Sequence, residues 1–156
     1  MKLRIVALGH RMPAWVGEGV AEYAKRLPRE YAVEVVQLKP VARDSGKPAA
    51  QILAAEAPRI RTACAGYTVV VAMDERGAAW TTHQFATRLS GWRDSAQDVA
   101  FVIGSADGLD EALKREASAQ FALSALTLPH GLVRVLLMEQ IYRVVSVLAG
   151  HPYHRN

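Results

Sequence analysis

Five histidines, fifteen acidic side chains, one cysteine and one glycine-framed loop are the groups in this 156-residue chain with readable chemistry. Of His10, His83, His130, His151 and His154, only the last two are close in sequence, and no carboxylate cluster accompanies them. That spacing offers no metal site. Asp107, Asp110 and Glu111 lie together, but a turn and a helix cap account for them. There is no Gly-x-Ser-x-Gly elbow for a serine nucleophile and no Gly-Lys-Ser/Thr for a phosphate loop. What remains is Gly104-Ser105-Ala106-Asp107-Gly108, placed straight after an apolar run. Glycines there let a backbone approach a flat or phosphate-bearing ligand closely. The spacing is not the dinucleotide fingerprint, and a plain strand-to-helix turn fits it as well. Elimination leaves chemistry in which a cofactor carries the reactive group and the protein binds and orients it.

The elements that must hold such a loop follow from periodicity and punctuation. Apolar, β-branched runs predict strands at residues 3–8, 33–38, 68–73 and 99–103, with a short one at 121–123. Helices are predicted over 13–27, opened by Pro13 and stopped by Pro28, and over 49–65, where Pro58 predicts a kink or two shorter pieces. Thr81 with Gln84 is a capping-box signature for a helix to about Trp92, and Asp110 caps another to about Ala119. Residues 74–79 read as a turn, and 39–48 as a mobile basic loop. The last helix, 130–148, is apolar on more than one side, which predicts a second buried face and hence a homodimer. Strands apolar on both faces, alternating with helices, mean an α/β fold with a mainly parallel sheet covered on both sides. The length suits a single domain spanning 1–156.

Composition excludes several classes. Apolar residues make up 51% and charged residues 22%, as in soluble globular proteins and unlike disordered ones. The net charge is +4, and its excess sits in residues 1–50, which hold nine basic and five acidic groups. That local bias can help dock a polyanion but is far from the dense basic tail of a non-specific nucleic-acid binder. Cys64, alone, makes neither an intramolecular disulfide nor a cysteine zinc site. The most apolar stretch, residues 132–148, contains Arg134, Glu139, Gln140 and Arg143, which excludes a membrane span. With no secretory signal at the start, a cytoplasmic location is expected.

Several segments together resemble one family. They are Met1-Lys2-Leu3; Gly9 with Met12-Pro13-Ala14-Trp15; Glu22-Tyr23; Phe101-Val102-Ile103-Gly104 with Asp107-Gly108-Leu109; Leu123-Ser124-Ala125-Leu126-Thr127-Leu128-Pro129-His130; Leu132-Val133-Arg134-Val135; Glu139-Gln140-Ile141-Tyr142-Arg143; and the ending His151-Pro152-Tyr153-His154-Arg155. In this order they look like the ribosomal RNA large subunit methyltransferase H family, minimal SPOUT methyltransferases. The likeness covers nearly the whole chain. It implies a C-terminal deep trefoil knot (the SPOUT fold), a homodimer, and S-adenosylmethionine bound within the knot. It implies methylation of N3 of a pseudouridine in 23S rRNA of the assembled ribosome. The cofactor residues it implies are Met73, Gly104, Leu123, Ser124, Ala125, Leu126, Thr127 and Leu128. One departure stands out: Gly104-Ser105 replaces a pair of glycines, and a positive φ at 105 would strain a serine.

Methyl transfer from a sulfonium to an imide nitrogen needs orientation and loss of the nitrogen's proton. His154 is the expected base and Tyr153 its positioning or stacking neighbour. Arg143 is expected to hold a phosphate or stabilise negative charge on the uracil, against a plainer role as an ion pair with Glu139. Arg4, Arg11, Lys25, Arg26 and Arg29, with the loop carrying Lys39, Arg43 and Lys47, are candidate rRNA contacts. Trp15, Trp80 and Trp92 offer stacking faces, with core or dimer packing the plainer use. The competing readings are a non-enzymatic ribosome- or RNA-binding module of the same fold with a weakened cofactor site, for which Ser105 is the one hint, and a flavodoxin-like nucleotide binder.

Overall fold

The computed structural model describes residues 1–43 and 46–155. The middle of the predicted basic loop, at 44–45, and the final residue, Asn156, lie outside the described residues. Five strands form one parallel sheet in the order β2-β1-β4-β3-β5: β1 (Leu3–Leu8), β2 (Val33–Leu38), β3 (Val69–Ala78), β4 (Val99–Ile103) and β5 (Ala119–Phe121). The helices are α1 (Ala14–Ala24), α2 (Ala49–Ala63), α3 (Thr82–Asp94), α4 (Glu111–Glu116) and α5 (His130–Leu148).

Side chains alternate across a strand, so each strand feeds two cores. Leu3, Ile5, Val71, Phe101 and Ile103 pack with Phe85 and Leu89 of α3 and Leu137, Met138 and Ile141 of α5. Val6, Leu8, Ala72, Ala100 and Val102 pack with Ala57 and Ile60 of α2 and Leu113 of α4. β4, central and covered on both sides, is buried at all five positions, which is why its sequence shows no alternation. α5 lies between α1 and α3, and none of its residues is fully exposed. Neighbours within the chain thus take up much of the apolar surface that predicted a dimer.

The structure departs from the sequence reading in four places. α1 stops at Ala24, and the chain tightens into i→i+3 bonds before Pro28, with Leu27 N donating to Ala24 O at 3.1 Å. α2 is one helix of 15 residues with Pro58 inside it rather than two shorter pieces, the exposed ring facing away from the core. The predicted turn at 74–79 is largely strand: Met73 and Ala78 both pair with Phe121, and the residues between them bulge. Tertiary pairing decided this, since a Cβ on Gly77 would lie 2.7 Å from the backbone at Gln120 and Phe121. Finally, α4 ends at Glu116 and β5 starts at Ala119, because Ser118 N already donates to Val70 O at 2.8 Å. Residues 122–129 are left without regular structure. The capping box at Thr81 and Gln84 forms, and β1, β2, β4 and α5 have the expected limits.

Candidate active site

β3 leads to α3 on one face of the sheet and neighbouring β4 leads to α4 on the other, which opens a crevice at their carboxyl ends. A cavity of about 480 Å³ occupies it, within the usual range for small-ligand sites. Of the eight expected cofactor residues, Met73, Gly104, Leu123, Ser124, Leu126, Thr127 and Leu128 line this cavity, whereas Ala125 does not. Leu126 N donates to Ser124 Oγ at 3.0 Å. Among the described residues, the N–H groups of Ser124, Ala125, Thr127 and Leu128 make no hydrogen bond within the chain. Free backbone groups beside apolar side chains suit the edge and faces of a purine ring. Gly104 is required sterically: a Cβ there would lie 2.2 Å from Gly108 O. Gly108 turns the loop with φ +88°.

Ser105 is 2% exposed, and its backbone is not in the left-handed region. Its hydroxyl donates to Glu56 Oε1 at 2.8 Å and accepts from Arg43 Nη2 at 2.9 Å. Glu56, 1% exposed, also accepts from Val41 N at 3.1 Å, while Arg43 reaches Asp107 Oδ2 at 2.9 Å. The serine ties the loop after β4 to α2 and to Arg43, and the backbone strain expected at this position is absent. Glu56 was missed by the sequence reading, although Ile52, Glu56 and Ile60 share one helical stripe, which marks a buried carboxyl group.

Ionic groups line the far wall. Asp74, on the bulge of β3, pairs with Lys114 of α4 at 2.8 Å, and the lysine also meets Glu111 at 2.7 Å. Burial opposes both charges, but the hydrogen bonds between them hold Asp74 below the usual carboxyl value and Lys114 above the usual amine value. Glu75 accepts from Thr127 Oγ1 at 2.6 Å and joins the bulge to the irregular segment. His130 lines the cavity too. Burial, then the charges of Arg134 and Arg43, push its imidazole down, against a hydrogen bond with the Gly104 backbone. Asp74 and Lys114 were also missed; the position of Asp74 at the carboxyl end of an apolar strand was the available signal.

Of the expected catalytic residues, Arg143 and Tyr153 meet at Glu139, apart from the cavity. Glu139 Oε1 accepts from Arg143 Nε at 2.8 Å and from Tyr153 Oη at 3.1 Å. The Arg143 guanidinium sits 4.7 Å above the Tyr153 ring. Burial and the Glu139 hydrogen bond push the phenol up to about 12. His154 is half-buried, with Nδ1 closed to solvent and unbonded among the described residues. None of Arg143, Tyr153 and His154 lines the cavity. Ten residues of α5 separate Val133, which does, from Arg143, roughly 15 Å at the helical rise.

Several candidate rRNA contacts are engaged internally. Arg4 pairs with Glu34 at 2.6 Å, Arg26 and Lys25 pair with Glu22, and Arg43 is the latch described above. Trp80 stacks on Phe121 at 4.2 Å and meets Trp92 at 6.3 Å, which makes both part of the packing, while Trp15 is 52% exposed. Among the described residues no cluster could hold a metal ion, and no helix is long and apolar enough to cross a membrane.

Comparison with known proteins gives a consistent result. A family model described as "Predicted SPOUT methyltransferase" matches residues 1–154. The proteins named ribosomal RNA large subunit methyltransferase H from Nitrosospira multiformis and Dechloromonas aromatica are 54% and 55% identical over 155 residues, covering 99% of this chain and of each relative. Among solved structures, a probable methyltransferase from Bordetella pertussis superposes with a TM-score of 0.61 at 19% identity, covering 92% of this chain and 95% of that one. A probable methylase family protein from Haemophilus influenzae gives 0.61 at 10% identity, covering 99% and 70%.

Proposed function

Because the chain belongs to the ribosomal RNA large subunit methyltransferase H family of SPOUT methyltransferases, we propose that it methylates N3 of a pseudouridine in 23S rRNA of the assembled ribosome. S-adenosylmethionine is the methyl donor. The observation that carries this is the cavity at the ends of β3, β4 and β5, whose lining residues Ser124, Thr127 and Leu128 have unbonded N–H groups among the described residues and lie beside apolar Leu123 and Leu126. Those residues fit the cofactor: Met73, Leu123, Leu126 and Leu128 offer apolar contacts, and the close turn at Gly104 brings backbone to the cavity wall. When bound, the sulfonium cofactor supplies an electrophilic methyl group with a good leaving group. The protein then has to orient the acceptor and remove its proton.

His154 takes the imide proton at Nε2, since Nδ1 is closed off. Tyr153 stays a phenol at neutral pH, so it positions rather than accepts; Glu139 fixes both it and Arg143. Arg143 steadies negative charge developing on the base. The working form is a homodimer, in which the second copy's tail completes the cavity of the first. The roughly 15 Å of helix between Val133 at the cavity and Arg143 in the same chain supports this. So does the line of half-buried Leu132, Leu136 and Arg143 along α5. The whole chain acts as one cytoplasmic domain, with the segment between β4 and α5 tied into the trefoil knot. The path from β4 past β3 to the edge strand β5 supports that reading.

The deciding experiment compares rRNA nucleosides by mass spectrometry from cells with and without the protein. The methylpseudouridine signal should vanish without it, return with the wild-type gene, and stay absent with His154→Ala. An unchanged signal in the deletion refutes the substrate assignment.

A further inference from the structure

Arg134, on the second turn of α5, is 5% exposed. Its Nη1 donates to Gln37 Oε1 at 3.0 Å. Nε and Nη2 are closed to solvent and have no partner among the described residues. No carboxylate pairs with it there, and burial alone pushes its pKa down. A buried guanidinium with unmet donors costs stability. The fold does not explain it; an anion that arrives from outside does.

The surroundings fit an anion. A Cβ on Gly9, at the end of β1, would lie 2.9 Å from Nη2 and 2.9 Å from Met12 Cε. Glycine therefore lets the backbone close over this nitrogen, and the flexible Met12 side chain is the neighbouring part of the cover that can move. The first turn of α5 has no side-chain cap, and a Cβ on its Gly131 would lie 3.6 Å from Met12 Sδ, so a helix N-terminus that favours anions adjoins the same cover. Arg11 and Lys39 stand exposed on the loops after β1 and β2, and the charge of Arg43 is felt at His130. Asp107 is already engaged by Arg43. His130 and Val133, on either side of this turn, line the methyl-transfer cavity.

We propose that Arg134, Gly9 and the uncapped first turn of α5 form a subsite for one phosphodiester of the target RNA strand, admitted when Met12 swings aside. The subsite rests on the RNA-methyltransferase reading above, and it would hold the strand beside the cavity. A phosphodiester suits it better than a small carboxylate because several donors converge and the nearby exposed charges are positive.

The test uses the full-length protein with Arg134→Met and Arg134→Lys. Affinity for assembled ribosomes lacking the modification is measured across a salt series, alongside calorimetry with S-adenosylmethionine and thermal melting. Arg134→Met should bind ribosomes roughly tenfold more weakly at about 100 mM salt, with a log–log salt slope smaller by about one. Its cofactor heat should be unchanged and its melting temperature equal to or above wild type. Arg134→Lys should recover the slope. Wild-type affinity and slope in Arg134→Met overturn the proposal. So does a joint loss of melting temperature and cofactor binding, which marks a structural arginine. Lost self-association with intact ribosome binding also overturns it, since the anion would then belong to a second copy. Arg134-dependent ribosome binding without any cofactor heat in the wild type would sink the methyltransferase reading but leave the subsite standing. A wild type that binds no ribosomes removes both.

Discussion

Replacing Ser105 by glycine or alanine separates two accounts of the loop after β4 by the sign of one number. If serine were a strained substitute at a glycine position, Ser105→Gly would relieve about 1 kcal/mol and stabilise the protein. The structure predicts the reverse. Ser105 has no positive φ, and its hydroxyl holds Glu56 at 2.8 Å and Arg43 at 2.9 Å. Removing the hydroxyl leaves the 1%-exposed Glu56 carboxyl group short of a donor, a loss of about 1–3 kcal/mol. The Arg43 bond adds less, because that side chain is 31% exposed and keeps Asp107. Ser105→Ala should therefore cost about 2 kcal/mol, and Ser105→Gly up to about 1 kcal/mol more through the freedom gained by the unfolded chain. For a chain of this size, 2 kcal/mol lowers the melting point by roughly 4–8 °C. Equilibrium urea unfolding followed by circular dichroism measures it directly, and an unchanged m-value would confirm that the unfolded state is not the cause. Ser105→Gly with stability equal to or above wild type would refute the latch.

Two further outcomes follow from the same packing. Gly104→Ala places a methyl group 2.2 Å from Gly108 O, so the loop must shift. We expect at least a tenfold weaker cofactor affinity by calorimetry and about 1–3 kcal/mol lost stability; affinity within twofold of wild type would show that the turn does not shape the site. Burial pushes the Cys64 thiol up to about 11, which leaves on the order of 0.1% thiolate at pH 8. Native protein should resist iodoacetamide at that pH and label fully in urea, so rapid native labelling would contradict the buried placement.

The sequence alone determined the parallel α/β framework. Runs such as Val99-Ala100-Phe101-Val102-Ile103 are apolar on both faces, and only a covered inner strand tolerates that. Local chemistry also set the capping box at Thr81 and the limits of α5, because caps and helical periodicity act within a few residues. The family's motifs carried the expected cofactor segment, and the cavity walls include all of it but Ala125. Local rules failed where distant chain segments decide. Residues 74–78 carry turn-forming side chains but extend as strand, because β5 pairs with them across a bulge. Glu56 takes no role from the sequence, and Arg134 there only argues against a membrane span; packing alone shows one satisfied by Ser105 and the other left with open donors. Three-dimensional closure also set the tail carrying Tyr153 and His154 apart from the cavity, since α5 is a rigid rod and fixes that separation by its length.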